Sequence, residues 1–241
     1  MEERSIRRPE GDSRAFRIYI PPGYMAARPW PLILSLHGAG ERGHDNERQL
    51  TVGLAPALRA HPERWPALVV FPQAPEDTLW MGQTAADALA ALEATRAEFN
   101  IDPDRITLTG LSMGGHGCWY LAYRHPELFA AMAPVCGWVS RIGLSRDAEE
   151  SPVPDADAAA QGGDIFAALA ARVRDVPIWS FHGAEDPAVP VEDTRRAARA
   201  LAAVGSAARY TELPGVGHAA WEPAYGSAEL AAWLMAVRRN G

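Results

Sequence analysis

The sequence predicts an α/β fold, a mostly parallel sheet with helices on both faces, and three observations carry that prediction. Short apolar, β-rich runs alternate along the chain with helical patterns. The runs read as continuous apolar segments, the signature of strands buried on both faces. A length of 241 residues, with 48% hydrophobic and 22% charged residues, suits one domain around a single core.

In chain order, Phe16–Ile20 is the first expected strand, closed by Pro21-Pro22-Gly23. Leu32–Leu36 is the second and stops at His37-Gly38; a helical pattern over Asn46–Arg59 leads to the third, Leu68–Phe71, which stops at Pro72. The helical pattern Thr84–Phe99 precedes the strand Ile106–Thr109, and Gly114–Arg124 precedes Ala130–Val135. Asp164–Arg172 is helical before the strand Ile178–Phe181, Val191–Val204 before Arg209–Leu213, and Ser227–Val237 closes the chain. Trp138 to Asp175 departs from this alternation with Pro152, Pro154, Gly162, Gly163 and several acids. It reads either as a cap or flap beside the site or as a solvated surface insertion.

A formal net charge of −7 and a pI near 5.5 argue against nucleic acid or an anionic membrane as partner. No apolar run approaches the length of a membrane span. Met1 to Arg17 is charged and lacks an apolar h-region, so no signal peptide is read and a cytoplasmic location is expected. The two cysteines, Cys118 and Cys136, lie in apolar stretches and are expected as buried free thiols rather than a disulfide or metal pair. The sequence carries no signal for oligomeric state, and a homo-oligomer stays open.

The chemistry begins at Gly110-Leu111-Ser112-Met113-Gly114, a strand followed by Gly-x-Ser-x-Gly and a helical pattern. A sharp strand-to-helix turn of this kind lifts a serine above the sheet. In open parallel sheets ligands bind at the carboxyl ends of the strands, so every partner residue should follow a strand. Two later segments do. His182-Gly183-Ala184-Glu185-Asp186-Pro187 follows Ile178–Phe181, and Pro214-Gly215-Val216-Gly217-His218 follows Arg209–Leu213. Ser112 is therefore expected as nucleophile, His218 as base and Asp186 as the acid that orients it. Glu185 competes with Asp186; Asp186 is preferred because a short carboxylate in an Asp-Pro turn is better aimed. The other histidines considered read as structural: His37 and His182 as loop-backbone partners at strand ends, His61, His116 and His125 on or beside helices.

An oxyanion requires two N–H donors. Met113, directly after the serine, supplies one, and Ala39 in the loop His37-Gly38-Ala39-Gly40-Glu41-Arg42-Gly43 is expected to supply the other. That loop is no nucleotide cradle: no Gly-Lys-Ser/Thr follows, and the third glycine of a dinucleotide fingerprint is missing.

With these residues in place the chain resembles the α/β-hydrolase superfamily over nearly its whole length. More narrowly it is similar to the small carboxylesterases and predicted peptidases near dienelactone hydrolases and polyhydroxybutyrate-depolymerase-like esterases. Leu36-His37-Gly38-Ala39-Gly40-Glu41-Arg42-Gly43-His44-Asp45-Asn46, Phe71-Pro72-Gln73, the Ser112 elbow and His218-x-x-Trp221 with Ala224-Tyr225 carry the narrower likeness. The resemblance implies a serine hydrolase working through an acyl-enzyme on a small-molecule ester, with neither metal nor cofactor. Two departures stand out: dienelactone hydrolases usually have cysteine where this chain has Ser112, and the peptidase-like members often carry a further N-terminal domain.

Eight tryptophans occur, and Trp80, Trp138 and Trp221 fall where loops should approach the site. They are expected to bind substrate, walling a pocket for a short or aromatic acyl group. Arg42 and Arg141 are candidates for a substrate carboxylate. No Leu- and Phe-rich lid helix is present, which argues against long-chain fats. The competing readings are an exopeptidase, an acyl-protein thioesterase or lysophospholipase with the same triad, and a non-catalytic binding protein on this scaffold.

Overall fold

A computed structural model of the chain describes residues 1–140 and 151–239. Its frame is an eight-stranded sheet of β1 (Glu2–Arg7), β2 (Ser13–Tyr19), β3 (Trp30–Leu36), β4 (Leu68–Pro72), β5 (Ile101–Leu111), β6 (Ala131–Val135), β7 (Trp179–Gly183) and β8 (Arg209–Leu213). The order is β1-β2-β4-β3-β5-β6-β7-β8. β2 pairs antiparallel with β1 and β4, and every pair from β4 to β8 is parallel. The expected α/β-hydrolase architecture, a mostly parallel sheet covered on both faces, is the one observed.

Strand alternation explains the two helical layers. Leu32, Leu34 and Leu36 face one layer, packed with residues of α2 (Gly82–Glu98), α3 (Met113–Arg124), α5 (Ile165–Val173) and α6 (Val191–Ala203). Ile33 faces the other, with α1 (Leu54–Ala60), α7 (Trp221–Gly226) and α8 (Ala228–Ala236). All of β3, β4 and β6 is buried, which is why these strands read as unbroken apolar runs.

The structure departs from the sequence reading at several places, among them a longer β5 and an additional helix at Asp155–Ala160. β1 is a strand although its residues are mostly charged; only Ile6 is buried, and Arg4 and Arg8 reach Glu98 and Asp87 on α2. Its charge, which reads as loop, is what fastens an edge strand to the body. The helical pattern Asn46–Arg59 is broken: Gly53 at φ 72° separates a short turn at Arg48–Leu50 from α1. α7 forms one short helix directly after the His218 loop, where no helix was expected.

β6 and β7 pair at Val135 with Phe181 and, in the same register, by a bridge from Met132 to Ile178; Met132 N donates to Pro177 O at 2.9 Å and Cys136 N to Phe181 O at 2.8 Å. The connection between these strands contains α4 (Asp155–Ala160) and α5, which gather at the C-terminal end of α3. There Arg172 Nε donates to Tyr123 O at 2.9 Å and Arg124 to Pro152 O at 3.2 Å. Residues 141–150, Arg141 among them, lie outside the described residues. No helix of the described residues is long and apolar enough to cross a membrane.

α5 begins at Asp164, whose carboxylate accepts from Phe166 N at 2.9 Å and Ala167 N at 3.3 Å. Because Phe166 and Leu169 of this helix are core residues, Asp164→Ala is expected to lower the unfolding free energy by about 1 kcal/mol. Chemical denaturation checks the value.

Candidate active site

β5 ends at Leu111 and α3 begins at Met113, leaving Ser112 alone in the turn at φ 51°, ψ −116°. A non-glycine residue in that region is strained by about 1–3 kcal/mol and persists only where its surroundings dictate it. Here they do. A Cβ at Gly114 would lie 2.1 Å from Leu36 O, and one at Gly110 would lie 2.5 Å from Gly114 O. Glycine at both positions lets the start of α3 press against the end of β3. Ser112 N donates to Val135 O at 2.9 Å, which ties the turn to β6 as well.

His218 Nε2 stands 2.9 Å from Ser112 Oγ, and His218 Nδ1 stands 2.7 Å from Asp186 Oδ2. Asp186 Oδ1 accepts from Ala188 N at 2.8 Å and Val189 N at 2.9 Å. The Asp186 side chain is 0% exposed and that of His218 is 26% exposed, so a buried carboxylate supports an imidazole that still meets solvent. Glu185, the competing acid, is exposed, and its N–H bonds Val216 O at 3.0 Å, joining the two loops through backbone. The structure thus brings the three expected residues into one hydrogen-bonded chain from the ends of β5, β7 and β8.

The loop after β3 lies on the other side of Ser112. Gly38 touches the turn, and Ala39 is exposed beside it. Neither Ala39 N nor Met113 N donates a hydrogen bond among the described residues. The loop is laced to the end of β4: Gln73 Nε2 donates to Glu41 O at 3.0 Å, and Gly43 N donates to Ala74 O at 3.0 Å. Ala74 N donates to His37 Nε2 at 2.9 Å, which leaves the His37 proton on Nδ1, 2.6 Å from Gly38 O. Burial lowers His37 to about 4, so the ring is neutral in its working environment. Burial likewise pushes the half-buried Glu41 carboxyl upward, close beside Gly38.

Trp80 does not wall the site. It is 1% exposed, packs edge-on against His37, and donates from Nε1 to His37 O at 2.9 Å. Trp138 is also turned inward, 4% exposed and stacked on His116 at 4.6 Å. Arg42 folds onto its own loop, donating to Ala39 O at 3.0 Å. Trp221 is the tryptophan at the site: part-exposed, its ring meets that of His218 edge to face at 5.5 Å. It also lines a cavity of about 410 Å³ with Val52, Pro56, Ala57 and Tyr225. A larger cavity of about 590 Å³ surrounds Tyr123, Asp157 and Arg172 at the far end of α3.

Among the described residues, Cys136, Asp186 and His218 could in principle face one metal ion, with ligand atoms within 4.8 Å of one another. Their chemistry does not fit that use. Asp186 and His218 are engaged with each other, and burial pushes the Cys136 thiol strongly upward, away from the thiolate a metal requires. Both cysteines are buried and free.

A mostly parallel sheet carrying a serine elbow, with an acid and a histidine after later strands, defines an α/β-hydrolase. Within that class the chain belongs to the prolyl oligopeptidase family, whose model matches residues 76–236. NocK of Nocardia uniformis subsp. tsuyamanensis, a candidate esterase by its name, is 28% identical over 207 residues, covering 81% of this chain and 52% of NocK. The bifunctional acetylxylan esterase/xylanase XynS20E of Neocallimastix patriciarum is 26% identical over 166 residues, 61% of this chain and 21% of that protein. A thermostable esterase of known structure superposes with a TM-score of 0.81 at 31% identity, covering 99% of this chain and 63% of that one. The chain therefore spans about half of NocK and less of XynS20E.

Sequence reasoning passed over Thr194, used Gln73 only as part of the family likeness, and read His182 only as a loop-backbone partner. Each works through contacts between distant segments; only the strand-end position of Gln73 and His182 marks them in sequence.

His37 and His116 are both lowered to about 4, chiefly by burial. The unfolded chain therefore binds protons that the folded chain refuses between about pH 6.5 and 4. Their contribution to stability is complete above the ordinary imidazole range and is lost as pH falls toward 4. Thermal melts should show a falling midpoint from pH 7 to 4.5, with the His37 and His116 ring resonances unmoved above pH 5.

Proposed function

We propose that the protein is a serine hydrolase that cleaves carboxylic esters with short or aromatic acyl groups through an acyl-enzyme. The observation that carries this reading is the chain Ser112 Oγ–His218–Asp186, at 2.9 and 2.7 Å. His218 Nε2 takes the Ser112 proton as Oγ attacks the ester carbonyl, and Asp186 steadies the imidazolium that forms. The oxygen that becomes negative is received by the N–H groups of Ala39 and Met113. His218 then gives its proton to the departing alcohol, leaving an acyl group on Ser112; water, activated by the same histidine, releases the acid.

Because His218 protonates the departing oxygen, the alcohol part leaves on the side where Trp221 and its cavity stand. Val52, Pro56, Ala57 and Trp221 give that side an apolar wall suited to an aryl or alkyl alcohol. The esterase names among its relatives support ester cleavage, while membership of a family named for oligopeptidases keeps peptide bonds as the second reading.

Ser112→Ala is expected to lower turnover of aryl acetates by about 10⁴-fold or more while the melting curve stays cooperative. Turnover retained in the folded variant would remove the mechanism. Parallel assays on aryl esters, thioesters and aminoacyl amides decide the bond: amide rates equal to ester rates would make the protein a peptidase. Ala57→Phe, which fills the Trp221 cavity, should lower kcat/KM about tenfold for naphthyl acetate and leave ethyl acetate nearly unchanged.

A further inference from the structure

A second imidazole stands behind the Asp186 carboxylate. The His182 side chain is 0% exposed, and its Nε2 lies 3.2 Å from Asp186 Oδ2 and 3.0 Å from Val189 O. Its Nδ1 lies 2.7 Å from Thr194 Oγ1 on α6. A carbonyl oxygen and a carboxylate can only accept, so the hydrogen sits on Nε2, where it is bonded to Val189 O and lies close to Asp186 Oδ2. Nδ1 is then the acceptor, and the Thr194 hydroxyl is its donor. Thr194 Oγ1 has a second, longer neighbour in Gly137 O at 3.4 Å, and one hydroxyl proton serves the shorter contact. Burial, the largest influence, holds His182 below the usual imidazole range, in keeping with this neutral tautomer.

The consequence falls on Asp186. Its Oδ1 is gripped by two backbone N–H groups of the loop that follows, and the carbonyl of that same loop, Val189 O, is gripped by His182. Its Oδ2 faces His218 Nδ1 and His182 Nε2 together. Three N–H groups bonded to its two oxygens, and His182 Nε2 close behind Oδ2, hold the carboxylate in one rotation. A carboxylate left with a free lone pair in a buried place would instead turn to find a donor.

We propose that His182 is a positioning residue of this site: its Nε2–H, bonded to Val189 O and 3.2 Å from Asp186 Oδ2, holds the loop and the carboxylate that aim His218 at Ser112. This rests on the reading of Ser112, His218 and Asp186 as a working triad. His182 touches neither serine nor substrate and acts entirely through Asp186. It also draws some of the negative charge of Oδ2 toward itself. Without it, that charge bears more fully on His218 and favours the protonated ring. The ionisable groups facing His182 are Asp186 and His218 and, opposite it on β8, Glu212, which is itself paired with Arg195.

The test uses the full chain with His182→Leu, His182→Gln and Thr194→Val, and Ser112→Ala beside them. His182→Leu should lower kcat at least about tenfold with KM within about twofold, since ground-state binding does not involve it. The acid limb of its kcat/KM profile should move to higher pH. Gln, whose amide N–H reaches about as far as Nε2, should recover most of the loss. Thr194→Val, which removes the hydroxyl that keeps Nδ1 an acceptor, should shift the limb in the same direction by less. A folded His182→Leu with kcat and acid limb unchanged overturns the proposal; if that variant does not fold, an unmoved limb in folded Thr194→Val overturns it. Persistent turnover in Ser112→Ala would instead overturn the triad itself, so the two failures are told apart.

Discussion

The backbone approach between the end of β3 and the Ser112 turn governs the reacting end of this molecule. With 2.1 Å between Leu36 O and where a Cβ on Gly114 would be, no side chain fits there. The approach has two effects at once. It forces Ser112 into a conformation that it would not choose, and it sets the loop after β3 directly against the serine. Ser112 follows β5 and Ala39 follows β3, and this contact is what makes the two segments neighbours.

Around it the structure avoids naked charge. Asp186 is a buried carboxylate surrounded by N–H groups, the condition under which burying a charge is tolerable. His37 and His116 are kept neutral because each sits where a charge would find little water. Side chains hold the loops that carry the site: Gln73 and His37 the loop after β3, His182 the loop bearing Asp186. Rigidity at the site thus comes from side-chain-to-backbone bonds that cross between loops.

Much of this was legible in the sequence, and the residues say why. β3, β4 and β6 are buried on both faces, so their apolar runs admit little else. Ser112, Asp186 and His218 could be placed because each follows an expected strand, a rule of topology and not of local composition. β1 was illegible because its stabilising contacts are salt bridges to a helix some ninety residues away, as Arg4 to Glu98 illustrates. Trp80 and Trp221 look alike in sequence; only their neighbours make one a prop for His37 and the other a wall beside His218. The helix expected over Asn46–Arg59 failed at one residue, Gly53, whose positive φ turns the chain before it can continue.

The contact between Ser112 and His218 crosses much of the sheet. Ser112 follows β5 and leans on the end of β3, while Asp186 and His218 follow β7 and β8. The bond between Ser112 Oγ and His218 Nε2 therefore joins residues 106 positions apart in the chain. Its length is set by the order and register of the strands between them, so the geometry of the site is a property of the assembled sheet and of no single loop.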